Sequence, residues 1–294
     1  MKKKRAKWGL LFCLPFVIVF LVFQLYPIIY SFYLSLTYQE SNNTFTFIGF
    51  GNYTELAQDK VFWKSVLNTW KIWLMCFIPQ LIAALILAVL LTQYHLKAAG
   101  FFRAVFYLPN LVTAASIGAL FLAMFSWQTG SVNNILLALG IIKEKVNWMS
   151  SPAFAQGITS FIQWWMWFGY SSIILTAGIA AISQDVIESS IVDGANSWQR
   201  LFKITLPLLR PTMVYVLVTS LIGGMQTFDI PMTLSKGSAE PNKSLMTMVF
   251  YLYNMAFRNH DYPYGATISY GLFIIIVVFS LLFFRVMYGR KDKE

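Results

Sequence analysis

The chain has 294 residues, of which 57% are hydrophobic and only 12% are charged, about half the charged share of an ordinary soluble protein. The mean hydropathy of +0.61 and the long uncharged runs indicate a protein that crosses the membrane several times, and they exclude an ordinary soluble domain. The net charge of +10 does not point to nucleic acid, because the Lys and Arg residues are densest in the two terminal segments.

Six apolar runs reach the length of about 20 residues that a helix needs to cross the hydrocarbon core. Backbone groups in lipid must be bonded within their own helix, and the runs lack the alternation of barrel strands. We therefore predict an all-α integral membrane protein with about six transmembrane helices. The predicted spans are 9–36, 66–92, 104–127, 154–182, 208–233 and 265–287.

These spans form a single predicted membrane domain over 1–294. Its core covers 9–287, between a basic segment at 1–8 and a basic tail at 288–294. The first apolar run is longer than the apolar part of a signal peptide and has no cleavage site after it, so we expect it to remain as the first helix. The basic residues at both ends predict that both termini are cytoplasmic.

Two features of the spans point to function. Pro109 removes a backbone donor within the third span and therefore predicts a kink there. Flat aromatic side chains beside amides and a carboxylate suit the apolar faces and hydroxyl groups of a sugar, and polar groups at membrane depth are functional candidates. Interfacial anchoring or helix packing of the tryptophans, and a position of Asp229 outside the hydrocarbon, are open alternatives. The candidate substrate-pathway residues are Asn110, Trp164, Trp167, Tyr170, Gln226 and Asp229.

The sequence lacks the patterns of common catalytic and metal sites. The two histidines are His95 and His260, no Glu-x-x-His pair or Cys/His cluster occurs, and Cys13 and Cys76 both lie in apolar runs. We therefore predict no catalytic residue, no metal site and no cofactor bound by this chain. No Gly-Lys dipeptide occurs, which excludes a Walker A loop. If ATP drives this protein, another chain must bind and hydrolyse it.

A polar segment at 183–206 separates the fourth and fifth predicted spans. Asp185 and Glu188 would lie in the first turns of a short helix, where carboxylates complement the positive end of the helix dipole. Gly194 can adopt a positive φ at low cost, so it can end this helix and turn the chain into a second one. The sequence predicts a compact knob between two spans.

The same segment resembles the "EAA" loop of ABC-importer permeases, in which an acidic residue, two small residues, Asp-Gly-Ala and Ile-x-Leu-Pro recur at fixed spacing. Serines stand at the two small positions, where the family pattern has alanine. The matching residues are Glu188, Ser189, Ser190, Asp193, Gly194, Ala195, Ile204, Leu206 and Pro207. The segments 47–53 and 59–63 are similar to the Phe-x-Gly-x-x-Asn-Tyr…Asp-x-x-Phe-Trp stretch of sugar-importer permeases.

The resemblance, which covers nearly the whole chain, implies a permease subunit of a type I ABC importer of the carbohydrate-uptake group, in a prokaryotic plasma membrane. It implies four kinds of partner: a second homologous permease, a pair of ATPase subunits that use ATP and Mg²⁺, an extracellular solute-binding lipoprotein, and a di- or oligosaccharide as substrate. Two alternatives stay open at this point. One is an ABC permease for a polyol or a glycerol-phosphate-like solute, and the other is an ion-coupled secondary transporter.

Overall fold

The computed structural model describes residues 2–40, 44–93 and 98–288, and these ranges are largely helical. The predicted basic tail lies outside the described residues from residue 289 onward, as do Met1 and His95. The α-helices, in chain order, are α1 Lys2–Phe20, α2 Tyr26–Ser35, α3 Gly51–Gln58, α4 Lys60–Gln93, α5 Ala99–Tyr107, α6 Ala114–Met124, α7 Ser131–Ala138, α8 Pro152–Ala180, α9 Gln184–Val192, α10 Ser197–Arg200, α11 Leu206–Met225, α12 Asp229–Leu234, α13 Met248–Tyr253 and α14 Tyr262–Tyr288.

Shorter elements connect several of these helices. The π-helical turn Leu21–Leu25 joins α1 to α2, the π-helical turn Leu201–Thr205 joins α10 to α11, and a third, Asn254–Arg258, follows α13. Two 3₁₀ turns, Leu108–Leu111 and Trp148–Ser150, lie before α6 and α8. Strands β1 Thr37–Gln39 and β2 Phe45–Phe47 form a small hairpin.

Within the described ranges, four helical runs are long and apolar enough to cross a membrane: Leu11–Ser35, Lys60–Thr92, Ser197–Leu234 and Tyr262–Met287. Two bent helix pairs bring the number to six when each pair counts as one span. One pair joins α5 to α6 at 89°, and the other joins α8 to α9 at 72°. These runs correspond to the six predicted spans, although the third is broken at 112–113 and the fifth is irregular at 226–228.

The break in the third span follows from Pro109. Pro109 lies in the 3₁₀ turn Leu108–Leu111, after which Val112 and Thr113 have extended backbones with ψ of 142° and 140°. The Thr113 side chain then caps α6 by accepting a hydrogen bond from the Ser116 amide. The predicted kink is therefore a complete interruption, after which Thr113, a residue type favoured at the N-cap, starts the next helix.

One compact unit consists of residues 1–62 and 251–273. Its two strands pair antiparallel, with Thr37 opposite Phe47. The Asn52 amide group on α3 donates to the carbonyls of Ser35 and Thr37, at 3.0 and 2.7 Å, and so fixes the chain where α2 ends. The sequence did not predict the strand pair, since three residues are too few to show an alternating pattern.

The other compact unit consists of residues 63–250 and 274–294. Among its described residues, one cluster of buried apolar side chains is shared by α6, α8 and α12 and another by α4, α8 and α11. Helix α8 contributes to both clusters and is the central helix of this unit. At Gly169 it meets α5 so closely that a Cβ atom would lie 1.9 Å from the Phe106 carbonyl oxygen.

Buried amide side chains of this unit hold the segment before α13. The Asn68 amide donates to the carbonyls of Lys243 and Met246 at 2.8 and 3.1 Å. The Gln156 amide donates to the Asn68 side-chain oxygen at 3.1 Å and to the Ser244 carbonyl at 2.9 Å. Since buried polar groups need partners, these four bonds fix the conformation of 243–246 against α4 and α8.

Candidate substrate cavity and coupling segment

A cavity of about 400 Å³ lies in the unit 63–250 with 274–294, where α11 ends. Helices α4, α6, α8, α11 and α12 all contribute to its wall. The described residues that line it are Trp73, Cys76, Gln80, Ala114, Gln163, Met166, Trp167, Tyr170, Ser171, Ile174, Val216, Thr219, Ser220, Gly223, Gly224, Gln226, Thr227, Phe228, Asp229 and Ile230. Apolar and aromatic surface with a few amides and hydroxyls is typical of a small-molecule site.

The interruption between α11 and α12 forms one wall of the cavity. Helix α11 ends at Met225, and the amides of Gln226 and Thr227 bond back to the carbonyls of Gly223 and Gly224. The chain is irregular over residues 226–228 before α12 begins at Asp229. Backbone without regular helix at membrane depth is tolerated where it lines a cavity, so this interruption suits a pathway.

Two side chains hold the irregular segment in place. The Gln163 amide on α8 donates to the Thr227 hydroxyl at 2.8 Å. The Thr247 hydroxyl donates to the Thr227 carbonyl at 2.6 Å, and Thr247 itself is fully buried. Thr227 is therefore bonded through its side chain to α8 and through its backbone to the segment that precedes α13.

Helix α4 closes another side of the cavity through two polar contacts. The Trp73 indole N–H donates to the Ser220 hydroxyl at 3.2 Å, and the Gln80 amide donates to the Ser171 hydroxyl at 2.8 Å. Both donors are buried. These bonds orient flat and polar groups at the cavity wall without an ionised side chain.

The structure brings together four of the six predicted substrate-pathway residues. Trp167, Tyr170, Gln226 and Asp229 line the cavity, and the rings of Trp167 and Tyr170 meet edge to face at 5.6 Å. Two others do not line it. Asn110 lies in the 3₁₀ turn before α6, and Trp164 stacks on Phe168 at 5.3 Å. Contact of the four lining residues with a substrate stays a prediction.

Sequence reasoning missed the α4 contribution, although a signal was present. Gln80 is an amide in the middle of an apolar span, and such a residue is a functional candidate by default. Trp73 and Ser220 gave no comparable signal, because an isolated Trp or Ser in a membrane helix is common. Their place at the cavity depends on how α4 and α11 pack.

The segment predicted as a knob forms two helices joined by a tight turn. Gly194 has a φ of 80°, as the sequence predicts for the residue that ends α9. The Gly194 amide bonds to the Ile191 carbonyl at 3.0 Å, and the Ala195 amide bonds to the Ser190 carbonyl at 2.9 Å. This pair of bonds is the Schellman motif, in which a left-handed residue satisfies the last carbonyls of a helix.

The second helix of this segment begins with a capping box. The Asn196 side-chain oxygen accepts from the Gln199 amide at 2.8 Å, and the Gln199 side-chain oxygen accepts from the Asn196 amide at 2.9 Å. The sequence carries this signal as Asn-x-x-Gln. Helix α10 then continues through the π-helical turn into α11, whose first two residues are Leu206 and Pro207.

The predicted coupling residues lie around this turn. Ser189, Ser190, Asp193 and Ile204 line one shallow groove together with Asp185 and Val186. Large apolar side chains beside it are exposed, with 87% of Val192 and 70% of Trp198 accessible, and Trp198 stacks on Phe202 at 5.9 Å. Apolar groups exposed on a polar segment mark an interaction surface. Docking of an ATPase there remains a prediction.

A separate hydrogen-bonded cluster around the single carboxylate of Asp59 lies in the unit 1–62 with 251–273. The Asp59 carboxylate accepts from the hydroxyls of Tyr251 and Tyr264, at 2.5 and 2.8 Å, and from the amides of Val61 and Phe62 at 2.7 and 3.2 Å. Partial burial raises the pKa of Asp59, but the hydrogen bonds outweigh it and the net pKa is lowered. Burial and the same carboxylate raise the pKa of Tyr251. Among the described residues no group of three or more His, Cys, Asp or Glu could hold a metal ion.

Residues 80–291 match the family described as "Binding-protein-dependent transport system inner membrane component". The lactose transport system permease protein LacF of Rhizobium radiobacter is 36% identical over 285 residues, which cover 96% of this chain and 95% of that protein. The arabinooligosaccharides transport system permease protein AraP of Bacillus subtilis is 33% identical, with 95% and 88% covered.

The fold is also that of a solved importer. A bacterial ABC transporter involved in the import of the acidic polysaccharide alginate has a chain that superimposes with a TM-score of 0.83 at 24% identity, covering 100% of this chain and 99% of that one. At this identity the likeness concerns the fold alone. From the family match, the extent of its relatives and the membrane-spanning helices, the chain belongs to the binding-protein-dependent transport system inner membrane components, as a multi-pass permease of an ABC importer in the plasma membrane.

Proposed function

We propose that this chain imports a neutral di- or oligosaccharide, and that the cavity where α11 ends is its binding site. The observation that carries the proposal is the wall of this cavity, which combines the faces of Trp167 and Tyr170 with the amides of Gln163 and Gln226. Aromatic faces suit the C–H surfaces of sugars, and amides suit their hydroxyl groups. The relatives named for lactose and arabinooligosaccharide transport support the same substrate class.

The charge of the cavity favours a neutral sugar over an acidic one. Asp229 is the one charged side chain among the described residues that line it. A carboxylate repels an anionic solute, and an anionic solute would be matched by Arg or Lys. A glycerol-phosphate-like solute is therefore disfavoured, and so is an acidic polysaccharide. The volume of about 400 Å³ lies at the lower end of ligand pockets, which suits a short saccharide.

The transport mechanism that we propose is alternating access driven by separate subunits. A second homologous permease would complete the pathway, a binding protein would deliver the sugar from outside, and two ATPase subunits would hydrolyse ATP with Mg²⁺. The segment 183–206 would lie on the cytoplasmic side, as would both termini, and would dock the ATPase through the exposed apolar groups around Gly194. Docking couples ATP hydrolysis to sugar transport if the segment binds one ATPase arrangement better than the other.

The test is purification of this chain with its native companions in mild detergent, followed by reconstitution into vesicles. We expect a Walker A ATPase and a second permease in stoichiometric amounts, and uptake of a labelled disaccharide that requires internal ATP. The matched control is the same complex with its ATPase inactivated by substitution of the Walker A lysine. Transport by this chain alone, without ATP, would overturn the proposal in favour of a secondary transporter.

A further inference from the structure

Two neighbouring glycines at the end of α11 have very different surroundings. A Cβ atom at Gly224 would lie 2.0 Å from Cδ1 of Trp73, so only glycine allows the indole to reach Ser220 there. A Cβ atom at Gly223 would meet no heavy atom within 4 Å. The glycine at 224 is explained by packing, whereas the glycine at 223 needs another reason.

Backbone conformation does not supply that reason. Gly223 belongs to the helical run of α11 and is not among the residues with positive φ. Other residues are better helix formers than glycine, so a larger side chain would fit the backbone at least as well. What glycine provides at this position is empty space.

The empty space at Gly223 belongs to the cavity. Residues 216, 220 and 223 all line it and recur at intervals of four and three, so they form one stripe along α11. Gly223 lies within this stripe, and a side chain added there would project into the cavity. Trp167 and Tyr170 of α8 line the same cavity.

We propose that Gly223 determines the size of the saccharide that this permease accepts, an inference that rests on the function proposed above. The absent side chain leaves space for a sugar unit beside the aromatic wall of α8. A bulky residue would remove this space, so it would exclude a longer saccharide while a shorter one could still bind. Gly223 is a specificity-determining position rather than a packing position.

The experiment measures uptake by the reconstituted importer carrying Gly223→Ala, Gly223→Leu or Gly223→Phe. The probes are labelled di- and trisaccharides of the galactoside, maltose and arabinan series, and the pair that the unsubstituted importer carries best is used. Because every variant works with the same binding protein, the selectivity of that protein cancels when the trisaccharide-to-disaccharide uptake ratio of a variant is divided by that of the unsubstituted importer. Gly157→Leu is the matched control, since Gly157 is a helical glycine with no atom within 4 Å of its Cβ position and does not line the cavity.

We expect the trisaccharide-to-disaccharide ratio to fall with side-chain size and to drop at least about tenfold for Gly223→Phe, the discrimination that steric fit in a pocket provides. The Gly157→Leu ratio should stay unchanged. Equal losses for both sugars in the Gly223 series, or no loss, would overturn the proposed role of Gly223 in size selection but not the proposed function. Failure of the unsubstituted importer to carry any of these sugars would instead refute the proposed function, and the inference with it.

Discussion

The turn at Gly194 allows a quantitative test of the proposed coupling segment. Gly194→Ala places a Cβ on a residue with a φ of 80°. No heavy atom lies within 4 Å of that Cβ position, so the substitution adds backbone strain without a steric clash. The left-handed conformation costs a residue with a Cβ about 1–2 kcal/mol.

This strain acts on the equilibrium between the closed turn and an open one. A change of one to two kcal/mol alters such a ratio about 5–30-fold. If only the closed turn docks the ATPase, ATP-driven uptake should fall for Gly194→Ala by up to that factor, since the population of the closed turn cannot change by more than the ratio does. Gly194→Asn should be milder, since Asn tolerates the left-handed region, and Gly194→Val should be more severe.

The assay is sugar uptake per ATP hydrolysed, measured on the reconstituted importer with equal amounts of assembled complex. Helix α7 provides a matched control, because it also ends in a Schellman motif. Gly140 has a φ of 68°, bonds to the Leu137 carbonyl at 3.0 Å and likewise has no atom within 4 Å of its Cβ position. Gly140→Ala introduces the same strain outside the coupling segment and should leave uptake per ATP unchanged.

Uptake that is equal in Gly194→Ala and Gly194→Val would refute this reasoning, because the backbone cost differs between them. Equal loss in Gly194→Ala and Gly140→Ala would also refute it, since the loss would then report general destabilisation.

Three further predictions concern other parts of the chain. Thr247→Val removes the buried donor to the part-buried Thr227 carbonyl, so thermal unfolding of the purified complex should show a loss of about 1–3 kcal/mol that Thr247→Ser restores. Asp229→Lys should make uptake of a neutral disaccharide at least about tenfold more sensitive to competition by a uronic-acid disaccharide. The reason is that a contacting charge pair near a protein surface is worth about 4 kcal/mol. Unchanged competition would place Asp229 away from the substrate. Because folding lowers the pKa of Asp59, its ionised carboxylate stabilises the fold at pH values above the ordinary aspartate pKa of about 4. This contribution is lost as the pH falls through the lowered pKa. The fall in melting temperature on acidification should therefore be smaller in Asp59→Asn, and an identical fall would contradict the assignment.

Membrane-spanning helices were predictable because the bilayer imposes a length and a composition that single sequences display. The kink predicted at Pro109 in the third span, 104–127, is a full break in the structure, because Pro109 and the extended residues Val112 and Thr113 divide the span into two helices at 89°. The fifth predicted span, 208–233, is likewise interrupted at 226–228. Hydropathy averaged over a whole span does not detect such interruptions, since each irregular stretch covers only two or three residues.

Part of the cavity lining could be predicted from the sequence, for a geometric reason. Gln163, Trp167, Tyr170 and Ile174 line it and recur at intervals of three and four, so they share one face of α8. Trp164 fails this spacing, and residue type alone could not separate it from Trp167. The coupling segment was more predictable, because Gly194 has a conformational requirement that acts within a few residues of the chain.

The four hydrogen bonds around Asn68 and Gln156 also limit how the length of this loop can change during evolution. Surface loops ordinarily tolerate inserted and deleted residues. One residue inserted between Lys243 and Met246 would carry a carbonyl away from the Asn68 amide, which holds both ends of this short stretch. Insertions into this loop should therefore be selected against while the side-chain amides of Asn68 and Gln156 are both kept. Related chains that have lost either amide should be the ones in which the length of the loop varies.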